Sequence, residues 1–258
     1  MLRPRIIPCL LIHRGGLVKT RLFNDPRYVG DPINAVRIFN EKQADELLIL
    51  DIDATVSGKP PDFDFISKLA KESRMPLCYG GGVTSVEQVE RMIDMGIEKV
   101  AVSSAAVINP NIFTSMVRTV GMQSVVAVLD VVKKTNHYDV CTHNSKIRYN
   151  KNPILLAQHY QELGVGEILI NSVDQDGMMN GYDMVLAKSF RESIKIPITF
   201  LGGAGSLDDI LHLVENVGIV GAAAGSMFVF KGKHRAVLIN YPTLTQKEKI
   251  ATSTSPII

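Results

Sequence analysis

The 258-residue sequence has few cysteines, no long apolar run and almost no net charge, and each shortage excludes a class of protein. Cys9, Cys78 and Cys141 are odd in number and far apart, so they suit neither a disulfide framework nor the paired spacing of a zinc site. The apolar stretches at 6–12 and 219–224 are far shorter than the roughly 20 residues of a membrane-spanning helix. We therefore expect a soluble chain with reduced, mostly buried thiols and no membrane partner.

Targeting, nucleic-acid and metal signals are also missing. The N-terminus has no long apolar region followed by a small-residue cleavage site, which predicts a cytoplasmic protein. The formal charge is only +2 and no basic run occurs, so we expect no nucleic-acid partner. The six histidines show no ligand spacing, and there is no nucleophile elbow, P-loop or dinucleotide fingerprint. We predict neither a metal nor a cofactor.

What the chain does contain is a regular alternation of short apolar runs and stretches with helical spacing. The runs are RIIPCLLI, ELLILDI, PLCYGGG, EKVAVSS, SVVAVLD, EILINSV, PITFLGG and IVGAAAG. Strands that are apolar on both faces and separated by helices indicate an α/β fold with a parallel sheet, and eight such units close naturally into a (β/α)8 TIM barrel. A doubly wound open sheet is the alternative. We predict one barrel domain over 1–240 and a C-terminal tail over 241–258 that has no clear place in the barrel.

An internal repeat supports the barrel. Shifting the chain by 121 positions superposes landmarks in three successive strands. The superposed pairs are Glu46 with Glu167, Gly81 with Gly202, Gly82 with Gly203, Ser103 with Ala224, and Ser104 with Gly225. Matches over three strands without a gap predict two half-barrel repeats of four units each.

Glycine-rich segments follow several of the predicted strands, at 80–82, 202–205 and 223–226. Such segments expose backbone N–H groups at the C-terminal rim of a barrel, where a following helix adds its positive dipole end. The alternative is that glycine merely permits a tight turn. Because the clusters recur in both halves, we predict two phosphate sites and an elongated ligand with phosphate at each end.

Acidic residues are expected at the same rim. Asp130 is the third inward-facing residue of the fifth strand and is a candidate general acid or base, although an Asp there could instead cap the next loop. In the segment DQDG, Asp176 either holds a ligand hydroxyl or orders the loop.

Four charged residues fall at the opposite end of the barrel. Arg5, Glu46, Lys99 and Glu167 each stand at or near the start of a strand, and alternation lets all four face the axis. One reading is a charge-balanced plug that stabilises the floor. The other is a gate that passes a small neutral molecule when some ion pairs open.

Together, RIIPCL, the glycine triplet at 80–82, SSAAV, SVVAVLD, the 174–177 loop with GYD, and GGAG resemble the HisF family over about residues 1–230. HisF proteins are the cyclase subunits of imidazole glycerol phosphate synthase. The resemblance implies a barrel that docks a HisH-like glutaminase beneath its floor and receives ammonia along its axis. It implies a phosphorylated small-molecule ligand at the top and an ammonia gate at Arg5, Glu46, Lys99 and Glu167. It also places Lys19, in the first βα loop, over the substrate.

The resemblance implies two phosphate cradles. They fall on Gly82, Ser103 and Ser104 in one half and on Gly177, Gly203, Ala224, Gly225 and Ser226 in the other, with Gly81, Asp176 and Gly202 as further candidate phosphate-binding residues. Ser103 stands where the family usually has Asn, and Asn171 and Leu201 replace small hydroxyl residues.

The main departure from the family pattern is Leu11. The family places one catalytic Asp at the end of strand one and another at the end of strand five, and this chain has Leu11 and Asp130 there. A 119-position shift also sets Leu11 opposite Asp130. A step that needs two carboxylates would lose roughly 10²- to 10⁴-fold in rate.

Three hypotheses follow. The first is a divergent paralogue that keeps the glutaminase and the gate but supplies ammonia to a third, sugar-amidating enzyme of O-antigen or nonulosonic-acid biosynthesis. The second is an authentic cyclase of histidine biosynthesis that tolerates Leu11 by using Asp130, Asp176 or a water chain. The third is a non-catalytic scaffold that activates the glutaminase. We favour the first, because the gate is retained and one acid is missing.

Overall fold

The computed structural model describes residues 3–232 and 234–253, and at its centre eight parallel strands form a closed barrel. The strands are β1 Arg5–His13, β2 Leu47–Asp51, β3 Leu77–Gly80, β4 Lys99–Val102, β5 Val125–Lys133, β6 Glu167–Ser172, β7 Ile198–Leu201 and β8 Gly221–Ala224. Each strand pairs with its neighbours in the chain, and β8 pairs with β1 to complete the circle. The predicted (β/α)8 barrel is confirmed, and the open-sheet alternative is wrong because the sheet has no break.

Helices alternate with the strands on the outside of the barrel. They are α1 Pro32–Glu41, α2 Phe63–Glu72, α3 Val86–Asp94, α4 Ser104–Ile108, α5 Ile112–Val120, α6 Pro153–Glu162, α7 Met184–Ser193, α8 Leu207–Val217, α9 Ser226–Val229 and α10 Leu244–Thr252. Side-chain caps define where several helices begin. Asp31 accepts from the N–H of Asn34 before α1, and Ser85 forms a capping box with Gln88 before α3. Within the described ranges, no helix has the length and apolar content needed to cross a membrane.

Two antiparallel hairpins extend the sheet at the C-terminal ends of the strands. The first, Gly16–Arg21 with Asn24–Gly30, continues from β1, and we call it the β1 hairpin. The second, Tyr138–Thr142 with Ile147–Tyr149, continues from β5. A short pair, Phe230–Lys231 with Ala236–Val237, follows α9. Both long hairpins therefore stand at the mouth of the barrel.

Two separate apolar cores hold the barrel together. The larger lies between strands and helices, and the smaller fills the barrel's interior with residues such as Ile7, Leu48, Cys78 and Leu169. Burial of this apolar surface is the main source of stability. All three cysteines are buried and free of disulfides, as the sequence predicts.

The C-terminal segment has a definite place in the barrel. The sequence predicts a tail over 241–258 with no clear place in the barrel, whereas the structure shows α10 in the position of the eighth barrel helix, packed beside α8. Its Ile250 is buried in the outer core, and Thr243 caps it in a box with Gln246. The sequence of this helix contains few apolar residues, so its hydrophobic periodicity is too weak to predict a helix. Residues 254–258 lie outside the described residues.

Candidate functional site

A cavity of about 560 Å³ opens at the C-terminal ends of the barrel strands. Its wall brings together Lys19 from the β1 hairpin, Asp130 from β5, and the glycine-rich loops after β3, β6, β7 and β8. In parallel barrels this end carries the ligand, because loops from all eight strands converge there.

Asp130 is the titratable group best placed for proton transfer in this cavity. Burial raises its pKa to about 7, against a smaller lowering effect of the hydrogen bond from Asn171, and the nearby charge of Asp176 raises it further. The Asn171 Nδ2 donates to Asp130 Oδ1 at 2.9 Å. An acid with a pKa near neutrality exchanges protons at physiological pH, as a general acid or base must.

No second free carboxylate faces Asp130 from β1. Leu11 lines the cavity and packs with Leu50 against the interior core. The other acidic side chains in the wall are already engaged: Asp51 accepts from the N–H groups of Asp53 and Ala54. Among the described cavity residues, then, Asp130 has no partner acid at the position of Leu11.

Asp176 is occupied by the β1 hairpin. Its Oδ2 accepts from Thr20 Oγ1 at 2.7 Å and from the N–H of Phe23 at 3.0 Å, and its carbonyl accepts from the N–H of Leu22 at 3.0 Å. Leu22 and Phe23 both have positive φ, a strained turn for such residues that these bonds hold in place. These contacts fit the ordering role predicted for Asp176, and the ordered segment is the β1 hairpin, while the ligand-binding role stays a prediction.

Lys19 points from that hairpin into the cavity. Its Nζ donates to the carbonyl of Cys9, and the residue is 4% exposed. Burial lowers its pKa, while the neighbouring Cys9 and Asp176 act in the opposite direction. A Cβ added at Gly225 would lie 3.0 Å from Lys19 Nζ, so the ammonium stands directly beside the backbone of the predicted second phosphate cradle.

The first predicted cradle lies on the other side of the cavity. Gly81, Gly82, Ser103 and Ser104 all line the wall. The Ser103 hydroxyl is buried and, among the described residues, has no hydrogen-bond partner. A buried unsatisfied hydroxyl in a cavity wall is a group that a bound ligand or water would satisfy.

The predicted residues of the second cradle also converge on the cavity. Gly177, Gly202, Gly203, Gly225 and Ser226 line the wall. Ala224 is 2% exposed and lies in β8 outside the lining. Several of these glycines have a packing reason of their own: a Cβ at Gly203 would clash with the carbonyl of Gly181. The turn interpretation therefore accounts for this glycine, while the anion interpretation of the same backbone stays a prediction.

At the opposite end of the barrel, the four predicted charged residues form a closed ring, which we call the charged ring. Arg5 pairs with Glu46 and, at 2.6 Å, with Glu167. Lys99 Nζ lies 2.9 Å from Glu46 Oε2 and 3.0 Å from Glu167 Oε2. Each cation therefore contacts both anions, just below the apolar interior.

The opposite charges in the ring keep Arg5, Lys99 and Glu167 in their charged forms despite burial. Burial alone lowers the pKa of Arg5 and of Lys99, but the carboxylates of Glu167 and Glu46 raise both above their ordinary values. Burial alone raises the pKa of Glu167, and the two cations lower it overall. Opening the ring would leave buried charges without partners, which is costly.

Comparison with known proteins agrees with this geometry. The family described as "Histidine biosynthesis protein" matches residues 5–235. This chain belongs to the histidine biosynthesis protein family. A Leptospira interrogans protein is 53% identical over 252 residues, 97% of this chain and 99% of that protein. Relatives from Vibrio vulnificus and Pseudomonas aeruginosa are 51% and 44% identical, over 96% and 95% of this chain and 96% and 98% of their own lengths.

All three relatives carry the name "Putative imidazole glycerol phosphate synthase subunit", ending in HisF, hisF3 and hisF2 respectively. The predicted HisF resemblance is therefore confirmed at the level of the family. The chain is a HisF-like barrel.

Sequence reasoning missed one member of the charged ring in this HisF-like barrel. Thr199 Oγ1 donates to Glu167 Oε1, and Arg5 Nη2 lies 3.3 Å from the same hydroxyl. A Cβ at Gly221 would clash with Thr199, so glycine at the start of β8 makes room for it. A threonine in the otherwise apolar run PITFL was the available signal.

The hairpin after β5 also contributes more than the sequence indicated. His143 and Asn144 line the cavity, and Asn144 Nδ2 donates to the carbonyl of Ile52 at 3.0 Å, bridging the mouth to the opposite half of the barrel.

No group of three or more metal-ligating side chains occurs in 3–232 and 234–253.

Proposed function

We propose that this protein is a HisF-like synthase subunit that receives ammonia from a HisH-like glutaminase at the barrel floor and passes it along the axis. The observation that carries the proposal is the charged ring, which lies below an apolar interior and opposite the mouth cavity. Arg5, Glu46, Lys99 and Glu167 are its gate. Ammonia is small and neutral, so it can cross an apolar interior in which a cation would be unstable.

The interior above the ring suits such a passage. Cys78, Ala101 and Ala223 are small residues among the larger Ile7 and Leu169 of the interior core. The ring must open for a molecule to enter, since each cation contacts both anions in the closed arrangement. Docking of the glutaminase on the floor would supply the free energy to break a pair.

We further propose that the mouth binds a phosphorylated ligand but does not run the cyclase reaction at a normal rate. Leu11 can neither donate nor accept a proton, and the nearby Asp51 and Asp176 are engaged in holding loops. The ammonia then serves a third, sugar-amidating enzyme of surface-polysaccharide synthesis. Relatives with the suffixes hisF3 and hisF2 support a paralogue.

A turnover assay tests this proposal. The purified protein is given ammonium salt and the bisphosphorylated ribulosyl substrate of the HisF reaction, and product formation is measured. We expect a rate roughly 10²- to 10⁴-fold below that of an authentic HisF, because one carboxylate is missing. Leu11→Asp is expected to raise the rate. The matched variant Leu11→Asn should not, because asparagine has nearly the size of aspartate but cannot transfer a proton as an acid.

One observation favours the second candidate, an authentic cyclase of histidine biosynthesis. Asp130 retains a pKa of about 7 in a cavity lined by both predicted phosphate cradles. If the unmodified protein turns over at a normal rate in the same assay, the cyclase assignment replaces the ammonia-supply assignment.

Transfer of ammonia is tested separately. Glutamine labelled with ¹⁵N in its amide is given to the glutaminase and this barrel in excess unlabelled ammonium, and the acceptor's product is analysed by mass spectrometry. Channelling predicts a ¹⁵N-rich product. A scaffold that only activates the glutaminase would instead speed glutamine hydrolysis and yield product labelled no more than the bulk ammonia.

A further inference from the structure

The barrel floor has a seam between β1 and β2. The ladder between these strands begins at Cys9 and Leu48, above the level of the charged ring. Below that point Pro8 has no N–H to donate, while the N–H of Arg5 is directed to β8, where it bonds Val220. At the floor, therefore, β1 and β2 are not joined by strand pairing.

Side chains close the seam in place of the ladder. Asp45 Oδ2 accepts from the N–H of Ile6 at 3.0 Å, and the Tyr241 hydroxyl donates to the carbonyl of Ile6 at 2.8 Å. The same hydroxyl accepts from the N–H of Asp45 at 3.0 Å. Lys247 of α10 holds the other Asp45 oxygen at 2.7 Å. We call Tyr241, Asp45 and Lys247 the seam clamp.

The hydrogen bonds of the seam clamp involve the residues next to the charged ring. Ile6 follows Arg5 directly, and Asp45 directly precedes Glu46. Arg5 and Glu46 form the ion pair that spans the seam. A shift of either backbone at residue 6 or 45 would therefore separate these two ring members first.

We infer that the seam clamp is the positioning device that holds the charged ring closed, and that the ring opens at the Arg5–Glu46 pair along this seam. The inference deepens the proposed function, since it assigns the residues that set the gate's resting state. The segment 241–253, which the sequence left unexplained, thereby gains a role: the eighth helix links the outside of the barrel to its floor.

Tyr241→Phe removes the clamp's hydroxyl while keeping its packing. The Tyr241 ring makes an edge contact with Phe39, centroids 6.4 Å apart, and lies 5.6 Å from Phe228, and a phenylalanine ring preserves both. Tyr160→Phe is the matched control, because the buried Tyr160 hydroxyl has no hydrogen-bond partner among the described residues.

The reactivity of the three cysteine thiols measures which part of the barrel opens. Cys78 is 2% exposed and lies near all four charges of the ring. Cys141 is fully buried beside β5, away from the floor, and Cys9 lies near Lys19 at the mouth. Labelling with a small methanethiosulfonate, followed by mass spectrometry of each cysteine peptide, measures access at the three places in one sample.

We expect Tyr241→Phe to raise the labelling rate of Cys78 about tenfold over the wild type and over Tyr160→Phe. A tenfold change in opening corresponds to about 1.4 kcal/mol, the order of one or two net hydrogen bonds. The rates of Cys9 and Cys141 should stay unchanged. Lys247→Gln removes the ion pair on Asp45, the bond to the Gln43 carbonyl and the cation contact with the Tyr241 ring, but it keeps the Tyr241 hydroxyl. It should give a smaller rise confined to Cys78.

Two results would overturn the inference. One is an unchanged Cys78 rate in both Tyr241→Phe and Lys247→Gln. The other is a rise shared equally by Cys78 and Cys141, which would show general loosening rather than opening of the floor. The assay needs no glutaminase and no substrate, so its failure is distinct from failure of the proposed function, which the turnover and ¹⁵N assays decide.

Discussion

Replacing Asp130 by asparagine is predicted to stabilise the protein by an amount that grows as the pH rises towards 7. Burial raises the pKa of Asp130 from 3.8 to about 7, so the folded state holds its proton more tightly than the unfolded chain. Stability from such a group is fully present below the unfolded pKa and is lost as pH rises through the folded pKa. The loss therefore accumulates between about pH 4 and about pH 7 and is complete above pH 7.

The magnitude follows from that difference. Three pKa units correspond to about 4 kcal/mol, which is the upper limit of the penalty at pH 8. Asp130 is partly exposed to the cavity, where water reduces the effect, so we expect about 1–3 kcal/mol. The neutral Asn side chain can still accept the bond from Asn171, and it carries no such penalty.

Urea unfolding at pH 5, 6, 7 and 8 measures the prediction. The stability gain of Asp130→Asn over the wild type should grow from pH 5 to pH 7 and level off near pH 8. Asp208→Asn, an exposed aspartate at the start of α8, is the control, with an offset that does not grow over this range. If Asp130→Asn is no more stable than the wild type at pH 8, the desolvation argument is refuted.

Two further predictions concern the charged ring and the β1 hairpin. Glu167→Gln leaves Arg5 and Lys99 with one anion between them. Removing one member of a buried ion pair costs about 3 kcal/mol, so thermal scanning should show a Tm lower by roughly 6–12 °C. A fall of only a degree or two would contradict the pairing. Thr20→Val removes a hydrogen bond to Asp176. Tryptic cleavage within the β1 hairpin should become roughly five- to tenfold faster, whereas an unchanged cleavage rate would mean that this bond does not hold the hairpin in place.

The position of Leu11 gives the site an unusual chemical asymmetry. β5 presents a carboxylate whose pKa is near neutrality, and β1 presents an apolar side chain at the same mouth. Natural proteins tolerate a destabilising buried charge mainly where function needs it. Asp130 therefore remains the group on which to test ligand chemistry, whichever reaction the mouth supports.

Much of the fold was predictable because parallel strands buried on both faces read as continuous apolar runs. All eight runs correspond to barrel strands, and the spacing of Arg5, Glu46, Lys99 and Glu167 was enough to predict a charged ring. The eighth helix was not predictable, since α10 buries little of its own surface and is held largely by specific contacts from Tyr241 and Lys247.

The barrel, its two half-barrel repeats and the absence of an acid at position 11 could all be read from the amino-acid sequence. How those residues are used depends on contacts that exist only in the folded protein. Asp176 proved to anchor a hairpin because Thr20 and Phe23 reach it across the mouth, and Thr199 joined the ring through strand register. Periodicity reports which face of a strand a residue occupies, but hydrogen bonds between residues far apart in the chain depend on the closed barrel.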